Sequence, residues 1–302
     1  MHIPDGFLST PVWLSLNAVG APAIGWLARR AQRETQESAV PLLGVMGAFV
    51  FAAQMINFPI AAGTSGHLIG SALLTYTLGP AAAAIVMTAV LALQALIFQD
   101  GGILALGANV CNMALAGVLA AHLCYRHFGR GRARSVAIFL GAALSVLVAA
   151  CLALAQLLLS GVPVPFPILW LSLGLFSVGA LIEGGITLAV LQALEKLNPG
   201  WVRAPDTTGR PALGILLVAA LVLATAGVLF ASSEPDSLEY FAERTGIADQ
   251  ARNLLETPLA DYQARFIESP WLAQTAAGLA GFLAILATAL LLGKWLTRRR
   301  SA

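Results

Sequence analysis

Long apolar runs broken by short polar stretches dominate the chain. A helix needs roughly 20 apolar residues to cross a membrane's hydrocarbon layer. The pattern predicts nine spans, over residues 10–30, 40–58, 67–79, 80–98, 108–126, 134–160, 169–195, 212–231 and 271–293. The shortest, 67–79, is followed by Gly79-Pro80 with no charge to anchor a turn. It is either a half-inserted helix or a full crossing, and the charge pattern below favours the crossing. Seven spans with short loops fill residues 1–205, and residues 206–302 form a two-span hairpin around a polar segment, 232–270. The join, from Asn198-Pro199-Gly200 to Pro211, is turn-rich and basic, as a linker is. The expected fold is an all-α integral membrane protein, a seven-helix core with a two-helix C-terminal hairpin.

Composition supports this reading. Hydrophobic residues make up 58% of the 302 and charged residues 11%, against about 25% charged in soluble domains. A water-soluble globule and a disordered chain are excluded. A net charge of +2 spread over this length gives no basic face for nucleic acid. Cys111, Cys124 and Cys151 lie in apolar runs and read as small core residues. Most of the 17 Lys and Arg fall in four clusters: Arg29 to Arg33, Arg126 to Arg134, Lys196 to Arg210, and Lys294 to Arg300. Basic clusters mark the cytoplasmic side, and the nine spans put all four there, with the amino end outside and the carboxyl end inside. The chain is expected in the bacterial cytoplasmic (inner) membrane, in contact with the lipid bilayer. There is no basic leader and no apolar core ahead of Pro4-Asp5-Gly6, so the first residues do not read as a signal peptide. Segment 232–270 carries eight acids, Glu234, Asp236, Glu239, Glu243, Asp249, Glu256, Asp261 and Glu268, and lies outside by the same parity.

Candidate chemistry gathers on that outer face. His122 and His127, beside Arg126 and Arg130, read as cations at a helix end. His2 follows Met1 directly. A bulky second residue disfavours removal of Met1, which then keeps a free amine. That amine, the next amide nitrogen and the His2 ring form fused chelate rings of five and six members, with three coplanar nitrogens. A fourth donor would complete a square-planar set, the geometry that selects Ni(II), Cu(II) or low-spin Co(II). His67, in Gly63-Thr64-Ser65-Gly66-His67, is the other histidine outside. Gln54, Asn57, Gln99, Asp100, Asn109 and Asn112 cluster at the same level. They are expected either to cap helices or to hold the amino-terminal loop and orient the ligand histidines. Glu183 is the one acid in mid-span; it needs a partner, and Asn or Thr side chains are the candidates. There is no G-x-x-x-x-G-K-[ST], H-E-x-x-H or G-x-S-x-G. The chain is therefore not expected to hydrolyse a nucleotide or act as an enzyme.

Met1-His2-Ile3-Pro4-Asp5-Gly6-Phe7-Leu8-Ser9 resembles the opening of the CbiM/NikM family, the substrate-binding subunits of cobalt and nickel energy-coupling-factor transporters. The likeness continues in Asn57-Phe58-Pro59, in the His67 turn, in Phe98-Gln99-Asp100-Gly101-Gly102 with Leu106-Gly107-Ala108-Asn109, in Asn112-Met113-Ala114 and in Glu183-Gly184, covering roughly residues 1–200. It implies Met1, His2 and His67 as ligands of a transported Ni2+ or Co2+. It also implies no catalytic cofactor, with a transmembrane coupling subunit and two cytoplasmic ATPase subunits as partners. The tail is similar to the small PDGLE-containing NikN-type subunit through Glu234-Pro235-Asp236-Ser237-Leu238-Glu239, with Ser237 where the family has Gly. Two other classes are weighed against this. A membrane hydrolase would need a nucleophile and base paired with Glu183 on one helix, and none is spaced to serve. A non-transporting membrane metal sensor or structural protein would have no use for two outer histidines.

Overall fold

The computed structural model describes residues 1–61, 63–197, 210–227 and 231–298. Linker residues 198–209, residues 228–230 of the eighth predicted span and Arg299 and Arg300 lie outside these. The helices are α1 (Thr10–Glu34), α2 (Val40–Gln54), α3 (Ser71–Leu78), α4 (Pro80–Leu93), α5 (Leu106–Phe128), α6 (Arg134–Leu159), α7 (Phe166–Leu197), α8 (Arg210–Thr225), α9 (Ser237–Thr245) and α10 (Pro270–Thr297). Proline opens α1, α2, α4 and α10, where its missing N–H costs nothing. Wide π turns extend α4 over Gln94–Phe98 and occupy Val110–Gly117 of α5. Among the described residues the only strand pair is Phe58–Pro59 against Ser65–Gly66.

Six helical stretches are long and apolar enough to cross a membrane: Glu37–Gln54, Pro80–Phe98, Leu106–Phe128, Gly131–Leu159, Phe166–Leu197 and Pro270–Thr297. Five belong to the first 197 residues, so the seven predicted core spans are not all long apolar helices. Helix α1 has the length but too polar a composition, and α3 is short. Only Ser71–Leu78 of the predicted 67–79 is helical, about 12 Å at 1.5 Å per residue. Gly70 and Gly79, at φ of +80° and +78°, end the helix on both sides. Gly79 and Pro80 line a cavity with Glu34, His122 and Tyr125. The chain thus runs from the His67 turn to this cavity through an extended run and two helical turns, and the His67 side chain is only 9% exposed.

Helices α5, α6 and α7 pack in sequence, α1 lies on α4 and α5, and α2 is clasped by α8 and α10. The hairpin approaches α2 closely because the contact is small on one side. A Cβ at Gly44 would stand 2.7 Å from the Leu290 side chain, and such small residues are how helices associate in lipid. Within 232–270, Asp236 caps α9 in a reciprocal capping box with Glu239. Ser237 takes the first helical position there, without a left-handed backbone.

Glu183 is buried in α7, and its partners are main-chain groups rather than the Asn or Thr side chains expected. Its carboxylate accepts from Ile69 N at 2.6 Å and Gly70 N at 2.8 Å. A single carboxylate serves two adjacent amides where no helix supplies a carbonyl. Glu183→Ala should therefore strand two buried donors, costing about 2–4 kcal/mol. Thermal unfolding in detergent measures the loss, and Glu183→Gln, which keeps one acceptor, should recover about half.

Candidate metal centre

The amino-terminal loop folds inward. Met1 and His2 are each 8% exposed and Ile3 is fully buried. Asn109 holds Ile3 by both backbone groups, accepting from Ile3 N at 2.8 Å and donating to Ile3 O at 3.0 Å. Gly102 N donates to the same carbonyl at 2.8 Å. Asp5 accepts from Ile103 N, Leu104 N and Ala105 N at 2.9, 2.8 and 3.0 Å. It satisfies the free amides ahead of α5, where a negative charge is also favoured by the helix dipole. Position 102 must be glycine, since a Cβ there would lie 2.1 Å from Asp5 Oδ1.

The His67 turn meets this loop from the other side. Met1 N lies 3.0 Å from His67 Nε2. The His2 and His67 rings are parallel to within 2°, with centroids 5.4 Å apart. His67 Nδ1 bonds Leu68 O at 3.1 Å; a carbonyl only accepts, so Nδ1 donates there and Nε2 is the ring nitrogen that faces Met1. His2 Nδ1 is 2.9 Å from Asp100 Oδ1, and His2 Nε2 is buried with no hydrogen-bond partner.

The C-terminal part closes the site. Ser65 N and Oγ donate to Pro235 O and Glu234 O at 2.8 and 2.7 Å. This sets Asp236 Oδ2 against the Met1 amine and 3.7 Å from His67 Nε2. The Tyr262 hydroxyl donates to Asp100 Oδ2 at 2.6 Å and accepts from Gln94 Nε2 at 3.0 Å; Gln94 also donates to Gln54 Oε1 at 2.9 Å. Partial burial pushes the Asp100 carboxyl up. The His2 ring, by charge and hydrogen bond, then the Tyr262 hydrogen bond and the His67 charge outweigh it and hold the group below the usual carboxylate range. For Asp236 the burial effect is likewise overcome, first by the charge of the Met1 amine and then by His67. Burial and the Asp236 charge raise Glu239. Burial and the Asp100 charge raise Tyr262, which remains a neutral donor.

A cavity of about 720 Å³ opens over these groups, lined from the first part by His2, Asn57, His67, Gln99 and Asp100 and from the C-terminal part by Asp236, Glu239 and Tyr262. The predicted ligands Met1, His2 and His67 are thus brought together. Of the polar residues expected to orient them, Asp100 bonds His2 and Asn109 bonds Ile3. Two others bond elsewhere. Gln99 bonds Leu255 O and Asn253, and Asn112 pairs with Gln156 inside the bundle. Asn57 lines the cavity, and its backbone carbonyl accepts from Ser232 N. Asp5, Asp236 and Tyr262 were not singled out for the site by sequence. Asp5 stood inside the amino-terminal motif and Asp236 inside the PDGLE-like one, but nothing in either marked its contacts.

Residues 2–201 match the family described as the cobalt uptake substrate-specific transmembrane region, CbiM, and residues 210–298 match the PDGLE domain. A chain of Archaeoglobus fulgidus, named among fused nickel transport proteins of the NikMN type, is 33% identical over 308 residues, covering 99% of this chain and 98% of its own. The cobalt transport protein CbiM of Thermosediminibacter oceani is 36% identical over 208 residues, covering 65% of this chain and 84% of its own. A crystal structure titled as a truncated transition metal transporter superposes with a TM-score of 0.56 at 32% identity, over 65% of this chain and 99% of that one. A family of metal-transport components, not enzymes, accounts for both the missing catalytic motifs and the pocket lined by histidines and carboxylates. The chain belongs to the CbiM family of cobalt and nickel uptake proteins, with a PDGLE, NikN-type part fused behind it.

Proposed function

We propose that the chain is the substrate-binding membrane subunit of an energy-coupling-factor importer of Ni2+ and/or Co2+. The cation, as transported substrate, is held by four nitrogens: the Met1 amine, the His2 amide, the His2 ring and His67. Residues 1–205 form the metal-binding domain and residues 206–302 the NikN-like part that covers it. The observation that carries this reading is the 3.0 Å separation of Met1 N and His67 Nε2. Neighbouring donors of a planar site with bonds of roughly 2 Å lie about 2.8 Å apart. The parallel rings suit a common donor plane.

His2 must rearrange to bind. The six-membered chelate ring uses Nδ1, which here faces Asp100. A half-turn about Cβ–Cγ trades that bond for the cation. The amine, amide and imidazole bind metal only when deprotonated, so capture releases protons and weakens as pH falls. The amino end lies outside and the carboxyl end inside, in the cytoplasmic membrane. A membrane coupling subunit and two cytoplasmic ATPases supply the reorientation that releases the ion, because this chain carries no nucleotide motif.

His67→Ala should weaken Ni2+ binding by at least about a hundredfold, ~3 kcal/mol, with unchanged helix content. Competition with a chromophoric chelator measures it. Protein with a free Met1 amine should bind one Ni2+ with the yellow, diamagnetic signature of a planar nitrogen set. Unchanged affinity in His67→Ala would remove His67 from the ligand set.

A further inference from the structure

We propose that Asp236 is a transit ligand, a carboxylate lent by the C-terminal part that takes the entering cation and hands it to the four nitrogens. This deepens the proposed function and rests on it.

Asp236 is split between two tasks. Oδ1 accepts from Leu238 N at 2.7 Å and Glu239 N at 2.8 Å, so it is committed to capping α9. Oδ2 is left for the site, where it touches the Met1 amine and stands 3.7 Å from His67 Nε2. An oxygen at that spot can contact an ion bound by those two nitrogens without displacing either, because a planar set leaves its axial directions open. The carboxylate is also held in place. Its own chain segment bonds Ser65, two residues before His67, and Glu239 closes the capping box on Asp236 N at 2.8 Å.

The surroundings suit a cation in passage. The cavity is lined by Asp100, Asp236, Glu239, Glu243 and Asp261, and by no described Lys or Arg. Such a one-signed cleft concentrates cations and speeds their arrival. A divalent ion therefore meets oxygen ligands first and nitrogen ligands after. At the meeting point Asp236 exchanges partners. It leaves the Met1 ammonium and contacts the ion; the freed ammonium then gives its proton to solvent, as the His2 amide does, and both nitrogens become ligands. The buried, unpartnered His2 Nε2 shows the ring is not locked by bonds at both nitrogens, so it can turn at this step.

A ligand that serves only along the path changes both rates and leaves the equilibrium alone. Asp236→Asn tests this, since asparagine keeps the cap and presents an amide where Oδ2 was. Ni2+ association and dissociation are followed by stopped flow on the full chain with a free Met1 amine, using a chromophoric chelator. Both rates are expected to fall by about tenfold, within the range that charge steering spans, while the dissociation constant moves by less than about threefold. Rates equal to wild type would leave Asp236 as a helix cap only. Faster dissociation with lost affinity would make it a resident ligand; either result overturns the proposal. The absorption spectrum of Ni2+-loaded wild type reports separately on the four-nitrogen site. Its failure would show there and not in the ratio of rates.

Discussion

Acetylation of the Met1 amine should abolish nickel capture, lowering affinity by at least about a thousandfold, or ~4 kcal/mol. The acetyl group turns the basic amine that anchors the chelate into a neutral amide and supplies no new amine in its place. It also has nowhere to go. Met1 is 8% exposed, and its nitrogen is enclosed by His67 Nε2 and Asp236 Oδ2. The extra atoms would press on both and leave Asp236 without its cationic partner, a further cost for a largely buried carboxylate. A glycine added at the carboxyl end should change nothing. Chelator competition on the acetylated and free-amine proteins, with thermal unfolding as a check on folding, makes the comparison. Retention of affinity to within about threefold by the acetylated chain would rule the amine out as a ligand.

The parts of this site that depend on covalent neighbours were readable from sequence. Met1 and His2 are adjacent, so their chelate geometry follows from bond lengths alone, and the family-like turn supplied His67. Helix positions were readable for the same reason, since apolar length sets a span. The short α3 was marked by Gly79-Pro80, but the turn ahead of it depends on Glu183 reaching two amides more than 110 positions away. Contacts across such distances carry no local signal. Asp236 and Met1 are 235 positions apart, and Tyr262 and Asp100 are 162 apart. Reading the tail as a separate hairpin hid both. Gln99 and Asn112 illustrate the converse error. They sit beside site residues in sequence, but Gln99 is in the left-handed region at φ 59° and turns to the 253–255 segment, and Asn112 lies in a π turn facing Gln156. Sequence proximity places a side chain near a site without saying where it points.

Asp5 is where such a distant contact has the largest expected consequence away from the metal-bearing residues. Its two oxygens accept three consecutive amides, Ile103 N, Leu104 N and Ala105 N. Its backbone carbonyl accepts from Arg252 N at 2.8 Å. Through the first set it ties the amino-terminal loop to the start of α5, and through the second it ties the loop to the C-terminal part. Asp5→Asn is nearly the same size but replaces one acceptor oxygen with a donor group that faces an N–H. It also removes the charge that makes such bonds strong. The expected loss is about 2–4 kcal/mol, felt mainly as loosening of the loop, because α5 continues through the bundle core. Ni2+ affinity should fall by about a hundredfold or more, although no proposed donor atom is altered. Hydrogen exchange should rise at residues 2–5 and 102–105 and stay unchanged along α6 and α7. A variant that lost affinity with no change in exchange at those residues would place the effect of Asp5 in charge alone. Wild-type affinity would mean that the loop holds its metal-binding shape through Asn109 and Gly102 without it.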